Sequence, residues 1–326
     1  MTQGPGLQVN TPATVPVTVL TGFLGSGKTT VLNQLLRAPD LADTAVVINE
    51  FGEIGLDHLL IEHAIENAVL LKNGCICCSV RGDIADTLGE LFFKRDSGKL
   101  PWFSRIAIET TGLADPAPVV HSVLDAGLSL RLDGIVTTID ALHAPTQLAT
   151  QEEARRQVAF ADRILLTKTD LATPAQCMAA ELAARKINSL SPIRPVGVTG
   201  LVPADVFDLG IDGRPVLPLG HHSHGDIASV VLWPDTALRW DAVQFWLDSV
   251  LSLRGADILR IKGVLRLEGF ASPVVLQAVH HVVHPLQSLS EAASKALGAD
   301  ESFLVVIGRG LSGPGLRASF KVATGR

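Results

Sequence analysis

The chain has 326 residues, too many for one core of typical size and comfortable for two. With 47% hydrophobic and 18% charged residues it is an ordinary globular sequence, and a formal net charge of −6 leaves no basic footprint for nucleic acid. No stretch reaches the roughly 20 apolar residues of a spanning helix, and the N-terminal residues lack a basic region followed by an apolar core, so neither a membrane anchor nor a signal peptide is expected. Four cysteines cannot frame so long a chain with disulfides, which points to a reducing compartment, the cytoplasm.

Residues 1–14 are polar with Pro and Gly and read as a disordered leader. Residues 15–20 form a β-rich run that feeds into Gly22-Phe23-Leu24-Gly25-Ser26-Gly27-Lys28-Thr29, and residues 29–37 read as a helix. This is the G-x-x-x-x-G-K-[ST] phosphate loop in its strand–loop–helix setting. Its glycines let successive N–H groups point at phosphates, Lys28 supplies positive charge near the β- and γ-phosphates, and the Thr29 hydroxyl can ligate Mg²⁺. The nucleotide-binding set here is Gly22, Gly25, Ser26, Gly27, Lys28, Thr29 and Thr30.

Strands are expected at residues 45–48 and 69–72, with a helix at 83–94. After the second strand come Asn49-Glu50-Phe51-Gly52-Glu53 and then Asp57, where loops order around Mg²⁺ and the γ-phosphate. Glu50 joins the magnesium set there, and a solvated loop is the competing reading for Glu50, Glu53 and Asp57. Three of the four cysteines fall in Gly74-Cys75-Ile76-Cys77-Cys78. Three thiolates at Cys75, Cys77 and Cys78 can hold Zn²⁺ and leave a fourth position open; such soft donors also admit Cu⁺ or Co²⁺. Redox chemistry is the alternative for these thiols, and the neighbouring phosphate loop favours metal. Cys177 reads as a small buried apolar residue in a helix.

A strand at residues 105–108 runs into Glu109-Thr110-Thr111-Gly112. An acid and a glycine at this place suit water-mediated Mg²⁺ binding by Glu109 and a γ-phosphate contact from the Gly112 N–H, which with Lys28 makes the catalytic set. Residues 118–126 and 152–161 are helical, and 134–139 and 163–166 are strands. The last of these ends in Thr167-Lys168-Thr169-Asp170. The Asp170 carboxylate can accept from both N1–H and the N2 amine of guanine, and the Lys168 stem can pack on the base. A helix-capping Asp is the alternative. Thr167 stands where GTPases usually carry Asn, so the loop is expected to lose an amide brace and guanine affinity to weaken. Thr173-Pro174 opens a long helix.

Strands alternating with helices specify an α/β fold, a mostly parallel sheet covered by helices on both faces, over residues 15–208. Residues 209–225 are rich in Gly, Pro and His and read as a linker, with His221, His222 and His224 as a loose metal-collecting tether or a polar hinge. Residues 226–326 form a smaller α+β unit with strands at 227–232, 258–267, 274–283 and 303–307 and a helix at 238–253. For His280, His281 and His284 ordinary structural or surface roles are expected.

Taken together, GFLGSGKTT, INEFGEIGLD, GCICCSVRGD, ETTGLADPAPV and TKTD, with DILRIKG and FLVVIGR in the second unit, resemble the CobW-like family of P-loop GTPases. The resemblance covers nearly the whole chain. It implies a slow GTPase coupled to delivery of a metal, often zinc, to a client metalloprotein, with the metal on Cys75, Cys77 and Cys78 and linked nucleotide and metal states. It also allows a homodimer. The residues leave open a nucleotide-tuned metal buffer, and a cobalt-handling role in cobalamin synthesis.

Overall fold

The computed structural model describes residues 14–49, 69–70, 76–80, 83–197, 200–209, 227–289, 294 and 301–325. Strands β1 (Val15–Gly22), β2 (Thr44–Asn49), β3 (Val69–Leu70), β4 (Ile76–Val80), β5 (Arg105–Thr110), β6 (Leu130–Asp140), β7 (Arg163–Thr167) and β8 (Ile193–Pro195) make one sheet of order β3-β4-β2-β5-β1-β6-β7-β8. Every neighbouring pair is parallel except β3 with β4.

Helices α1 (Lys28–Leu35), α2 (Ile84–Asp96), α3 (Pro116–Asp125), α4 (Ala144–Thr150), α5 (Glu152–Phe160) and α6 (Pro174–Ile187) cover this sheet. The strands are apolar on both faces because both are buried. Leu20, Val46, Ala107, Val136 and Leu165 meet Val31, Leu32 and Leu35 of α1 on one side. Val17, Val19, Ala45, Val47, Ile106, Ile108 and Ile164 meet residues of α2, α3, α5 and α6 on the other. The helix starts are set locally. Asp83 and Asp115 accept from Ala85 N and Ala117 N, and Thr173 and Gln176 form a capping box with Pro174 at the first turn.

The second sheet comprises β9 (Ile227–Leu232), β10 (Ile258–Leu265), β11 (Val274–Val279), β12 (Val282–Val283), β13 (Gln287–Ser288) and β14 (Phe303–Arg309). Its order is β12-β11-β10-β14-β9, with β13 on β11, all antiparallel. Helices α7 (Trp240–Arg254) and α8 (Gly313–Thr324) cover one face, where Trp246 and Phe320 meet edge to face. The other face does not meet water. Its Ile227, Val231, Leu259, Val264, Val305 and Ile307 continue the apolar layer of α5 and α6.

Within that layer lies a buried ion set. Asp162, just after α5, accepts from Ile135 N at 2.8 Å with Oδ2, and with Oδ1 from Lys262 Nζ at 2.5 Å and from Arg260. Burial alone would raise the Asp162 pKa. The charges of Arg260 and Lys262, with the Lys262 and Ile135 hydrogen bonds, outweigh burial and lower it to about 2.

Several elements differ from the sequence reading. The cysteine run was read without a strand, yet Ile76–Val80 is inserted between β2 and β3. Residues 274–283 are not one strand. His280 adopts φ 49°, and the chain folds back so that Ala278 faces Val283 and Val279 faces Val282. α4, β8 and α8 also arise where no element was expected; α8 is started by Ser312, whose hydroxyl accepts from Gly315 N at 3.1 Å. Of the expected leader and linker, only Thr14 and Leu209 are described, and His221, His222 and His224 lie outside the described residues. Among the described residues no helix is long and apolar enough to cross a membrane.

Asp162→Ala removes the buried anion that Arg260 and Lys262 share and is expected to cost about 3–5 kcal/mol in chemical denaturation. The wild-type pH profile carries the same group's signature. Its folded pKa lies below the ordinary 3.8, so its contribution is complete above that value and is lost as pH falls through about 2. Between pH 5 and 2 the unfolding free energy should therefore fall by an amount on the order of 2 kcal/mol more in wild type than in Asp162→Ala.

Candidate functional site

β1 ends at Gly22 with φ 146°, where a Cβ would lie 2.3 Å from Thr138 Oγ1 and 2.5 Å from its carbonyl oxygen, both on β6. Only glycine fits this approach. The loop closes over the strand ends through Ser26, whose hydroxyl pairs with Thr138 Oγ1 at 2.6 Å, and Gly27 in the left-handed region starts α1. Gly25 is also left-handed at φ 71°.

Lys28 is buried. Its ammonium donates to Gly22 O at 2.8 Å and Phe23 O at 3.3 Å. Burial lowers its pKa, and the Glu109 charge offsets part of that effect. Thr29 Oγ1 donates to Glu109 Oε1 at 2.7 Å, and Glu109 stands opposite Leu20 in the β1–β5 ladder. Gly112 is pressed onto the loop: a Cβ there would sit 2.8 Å from Leu24 N and 2.9 Å from Leu24 Cα. Four sequence-selected residues, Lys28, Thr29, Glu109 and Gly112, thus converge at the carboxyl ends of β1 and β5. Thr30 follows as an exposed residue of α1.

The Thr167 hydroxyl, at the end of β7, donates to Ser26 O at 2.7 Å and Ile139 O at 3.1 Å. The expectation that the loop loses its brace here is thereby corrected, because the hydroxyl of the short side chain itself reaches a loop carbonyl, that of Ser26. Lys168 has φ 57°, and its ammonium donates to Asp140 Oδ2 at 2.6 Å. Asp140 also receives Leu142 N and pairs with His143 Nδ1 at 2.9 Å. Burial would raise its pKa, and the bonds from Lys168, His143 and Leu142 outweigh it and lower it. Asp170 is exposed two residues beyond Lys168. Asp140 was missed from sequence, although a carboxylate ending an otherwise buried strand was the available signal.

Cys77 and Cys78 occupy β4, opposite Val46 and Val47 of β2. Their side chains, and all of Cys75, Glu50, Glu53 and Asp57, lie outside the described residues. Among the described residues no three His, Cys, Asp or Glu side chains converge as a metal site. Cys177 is half-buried on α6 against the core.

Residues 16–195 match the CobW/HypB/UreG nucleotide-binding domain, and residues 227–324 match the cobalamin synthesis protein CobW C-terminal domain. The chain belongs to the CobW family. Its relatives include the zinc chaperone YjiA of Escherichia coli, 33% identical over 82% of this chain and 87% of that protein. The zinc chaperone CobW of Pseudomonas aeruginosa is 32% identical over 84% and 83%. The crystal structure of Zn(II)-bound YjiA GTPase from E. coli superposes with a TM-score of 0.74 at 29% identity, covering 95% of this chain and 99% of that one. This CobW-family chain therefore shares both the parallel P-loop sheet and the antiparallel C-terminal sheet with a solved relative.

Thr167→Val keeps the shape of the side chain and removes both hydrogen bonds. It should lower the denaturation free energy by about 1–3 kcal/mol, since two buried carbonyls lose a donor. Unchanged stability would show that Thr167 does not brace the loop. Gly112→Ala has to displace Leu24, so it should weaken nucleotide binding in isothermal calorimetry by at least about tenfold, roughly 1.4 kcal/mol.

Proposed function

We propose that this protein is a GTP-hydrolysing metallochaperone that carries zinc on Cys75, Cys77 and Cys78 and passes it to a client metalloprotein in a GTP-dependent step. Family membership and relatives named zinc chaperones support the reading. The three thiolates also admit cobalt. A cytoplasmic setting fits the exchangeable thiolates.

The chain's own residues supply the phosphate chemistry. Lys28 exchanges the carbonyls of Gly22 and Phe23 for β- and γ-phosphate oxygens, and the anionic phosphates restore the stability of its charged form. The Thr29 hydroxyl and Glu109 carboxylate, already 2.7 Å apart, are the hard oxygen donors that Mg²⁺ takes, Glu109 through water. Bound there, Mg²⁺ neutralises charge on the β- and γ-phosphates. Gly112 presents its N–H to the γ-phosphate, and Asp170 accepts from the guanine edge while the Lys168 stem, held by Asp140, packs on the base. No arginine finger is assigned from the sequence, so slow intrinsic turnover is expected, with the client supplying what is missing.

The observation that carries the proposal is the register of the cysteine strand. Cys77 pairs with Val46, Val46 with Ala107 of β5, and Ala107 with Thr18 of β1. Cys77 is therefore level with a residue four places before Gly22, about 13 Å down the strand and about 14 Å sideways. A cargo metal there does not touch phosphate. The two ligands communicate through the hydrogen-bonded strands, so they obey linkage: if metal favours the GTP state, GTP tightens metal by the same factor.

Zinc affinity measured by competition with a chromophoric chelator should differ at least about fivefold between the GMPPNP- and GDP-bound forms, the low end of ordinary coupling. Equal affinities would refute the coupling. Cys77→Ser should lose about 10–100-fold in zinc affinity while GTP turnover without zinc stays within about twofold. Collapse of the fold instead would make the cysteines structural.

A further inference from the structure

Helix α5 touches the Gly112 turn with one face and the C-terminal sheet with another. On the first face stands Gln157, a buried amide. Its Nε2 donates to Gly112 O at 3.1 Å and to Ala114 O at 3.0 Å, so both amide hydrogens are spent on the turn after β5. The neighbouring Arg156 donates to Asp115 Oδ2 at 2.5 Å, while Asp115 Oδ1 caps α3 by accepting from Ala117 N. The residue after Gly112–Ala114 is thus held by the same helix. Thr137 Oγ1 of β6 donates to Gln157 O at 2.8 Å, which ties α5 to the central sheet.

The second face is bonded to the other unit. Glu152 pairs with Arg156 on its own helix and with Arg309 at the end of β14. Phe160 lies against the His280 ring, with centroids 5.4 Å apart. Two residues later, Asp162 holds Arg260 and Lys262 of β10.

We propose that Gln157 is a positioning residue that sets the Gly112 turn for the γ-phosphate, and that α5 carries the position of that turn to the C-terminal sheet. The inference rests on the GTP reading above and deepens it. A γ-phosphate that draws in the Gly112 N–H moves a turn whose Gly112 and Ala114 carbonyls are fixed to one side chain. Either Gln157 follows or the buried Gly112 carbonyl and the part-buried Ala114 carbonyl lose their donor, and the second course is the costlier. If Gln157 follows, α5 moves, and α5 cannot move without shifting β10 and β14, because Asp162 and Glu152 are paired to them. GDP lacks the group that pulls on the turn, so it leaves α5 where it is.

The test uses the full chain. Gln157→Leu fills the same volume and removes both donors. Its affinity for Mg·GMPPNP should fall about tenfold, roughly 1.4 kcal/mol, while GDP affinity stays within about twofold. A merely structural role would weaken both nucleotides alike, and that result would overturn the proposal. In parallel, amide hydrogen exchange in residues 258–265 and 303–309 should differ between GMPPNP and GDP in wild type and lose that difference in Gln157→Leu. No difference in wild type would overturn the transmission through α5. If Gln157→Leu fails to fold, Asp115→Asn keeps the cap, removes the charge facing Arg156, and should lower the GMPPNP-to-GDP affinity ratio by about threefold, within the range of a partly exposed pair; an unchanged ratio counts against the proposal. A wild-type protein that binds neither nucleotide would refute the GTP reading itself, an outcome distinct from a variant that keeps the wild-type ratio.

Discussion

Asp162 ties the two sheets together through a buried charge. Its carboxylate takes the Ile135 N–H inside the larger sheet and two cations from the smaller one. The surrounding contact is apolar, and apolar contacts are non-directional, so by themselves they allow the sheets to slide. Charges buried in a low-dielectric layer resist it, because a displacement weakens the pairing of Asp162 with Arg260 and Lys262. One carboxylate thereby fixes β10 against the end of α5, and everything that α5 touches is placed relative to the C-terminal sheet.

The phosphate loop is held by a similar economy of groups. Three short hydroxyl side chains, Ser26, Thr138 and Thr167, meet at its base, with Ser26 Oγ on Thr138 Oγ1 and Thr167 Oγ1 on Ser26 O. Their bonds close the loop over the ends of β6 and β7, and Gly22 allows the approach that a Cβ would block. The Lys28 ammonium rests on the loop carbonyls, with the Glu109 charge acting on it. A buried cation held mainly by backbone dipoles is poised to exchange them for a phosphate, which offers full charge instead of partial charge.

What could be read from the sequence was what is encoded locally. The phosphate loop needs glycines and a lysine at fixed spacing, and the caps at Asp83, Asp115 and Thr173 act over two or three residues, so both were legible. Strand β4 was not, because Ile76-Cys77-Cys78-Ser79-Val80 lacks the β-branched density of its neighbours and is a strand only by insertion beside β2. The hairpin at His280 was hidden in a continuous apolar run, since nothing in Val279-His280-His281-Val282 carries the usual turn residues. Asp162, Arg260, Lys262 and Gln157 were illegible for a different reason. Each looks like a solvated polar residue until the fold brings it to a partner far along the chain. Thr167 was misjudged because the sequence shows which amide is missing and not that the Thr167 hydroxyl reaches the Ser26 carbonyl.

β5 is where the two outputs of the nucleotide site divide. Its ladder to β2, up to Asn49 opposite Thr110, leads on through β2 to the cysteine strand. The turn that follows it is gripped by Gln157 and leads through α5 to the C-terminal sheet. In the proposed coupling, one displacement at Gly112 is applied to both sides of the molecule at once. If α5 couples the Gly112 turn to the C-terminal sheet as proposed, reciprocity requires that a partner which seats on that sheet and shifts β10 or β14 change affinity at the phosphate loop and, through it, at the proposed cysteine site. Under the function proposed above, a client docked far from the metal would loosen it without touching it, so long as the chain from Arg309 and Asp162 through α5 to Gly112 stays rigid. The buried part of that chain is Asp162 with Arg260 and Lys262, while Glu152 with Arg309 is its solvent-accessible part, and that is why the docking carboxylate matters to the proposed coupling as well as to the fold.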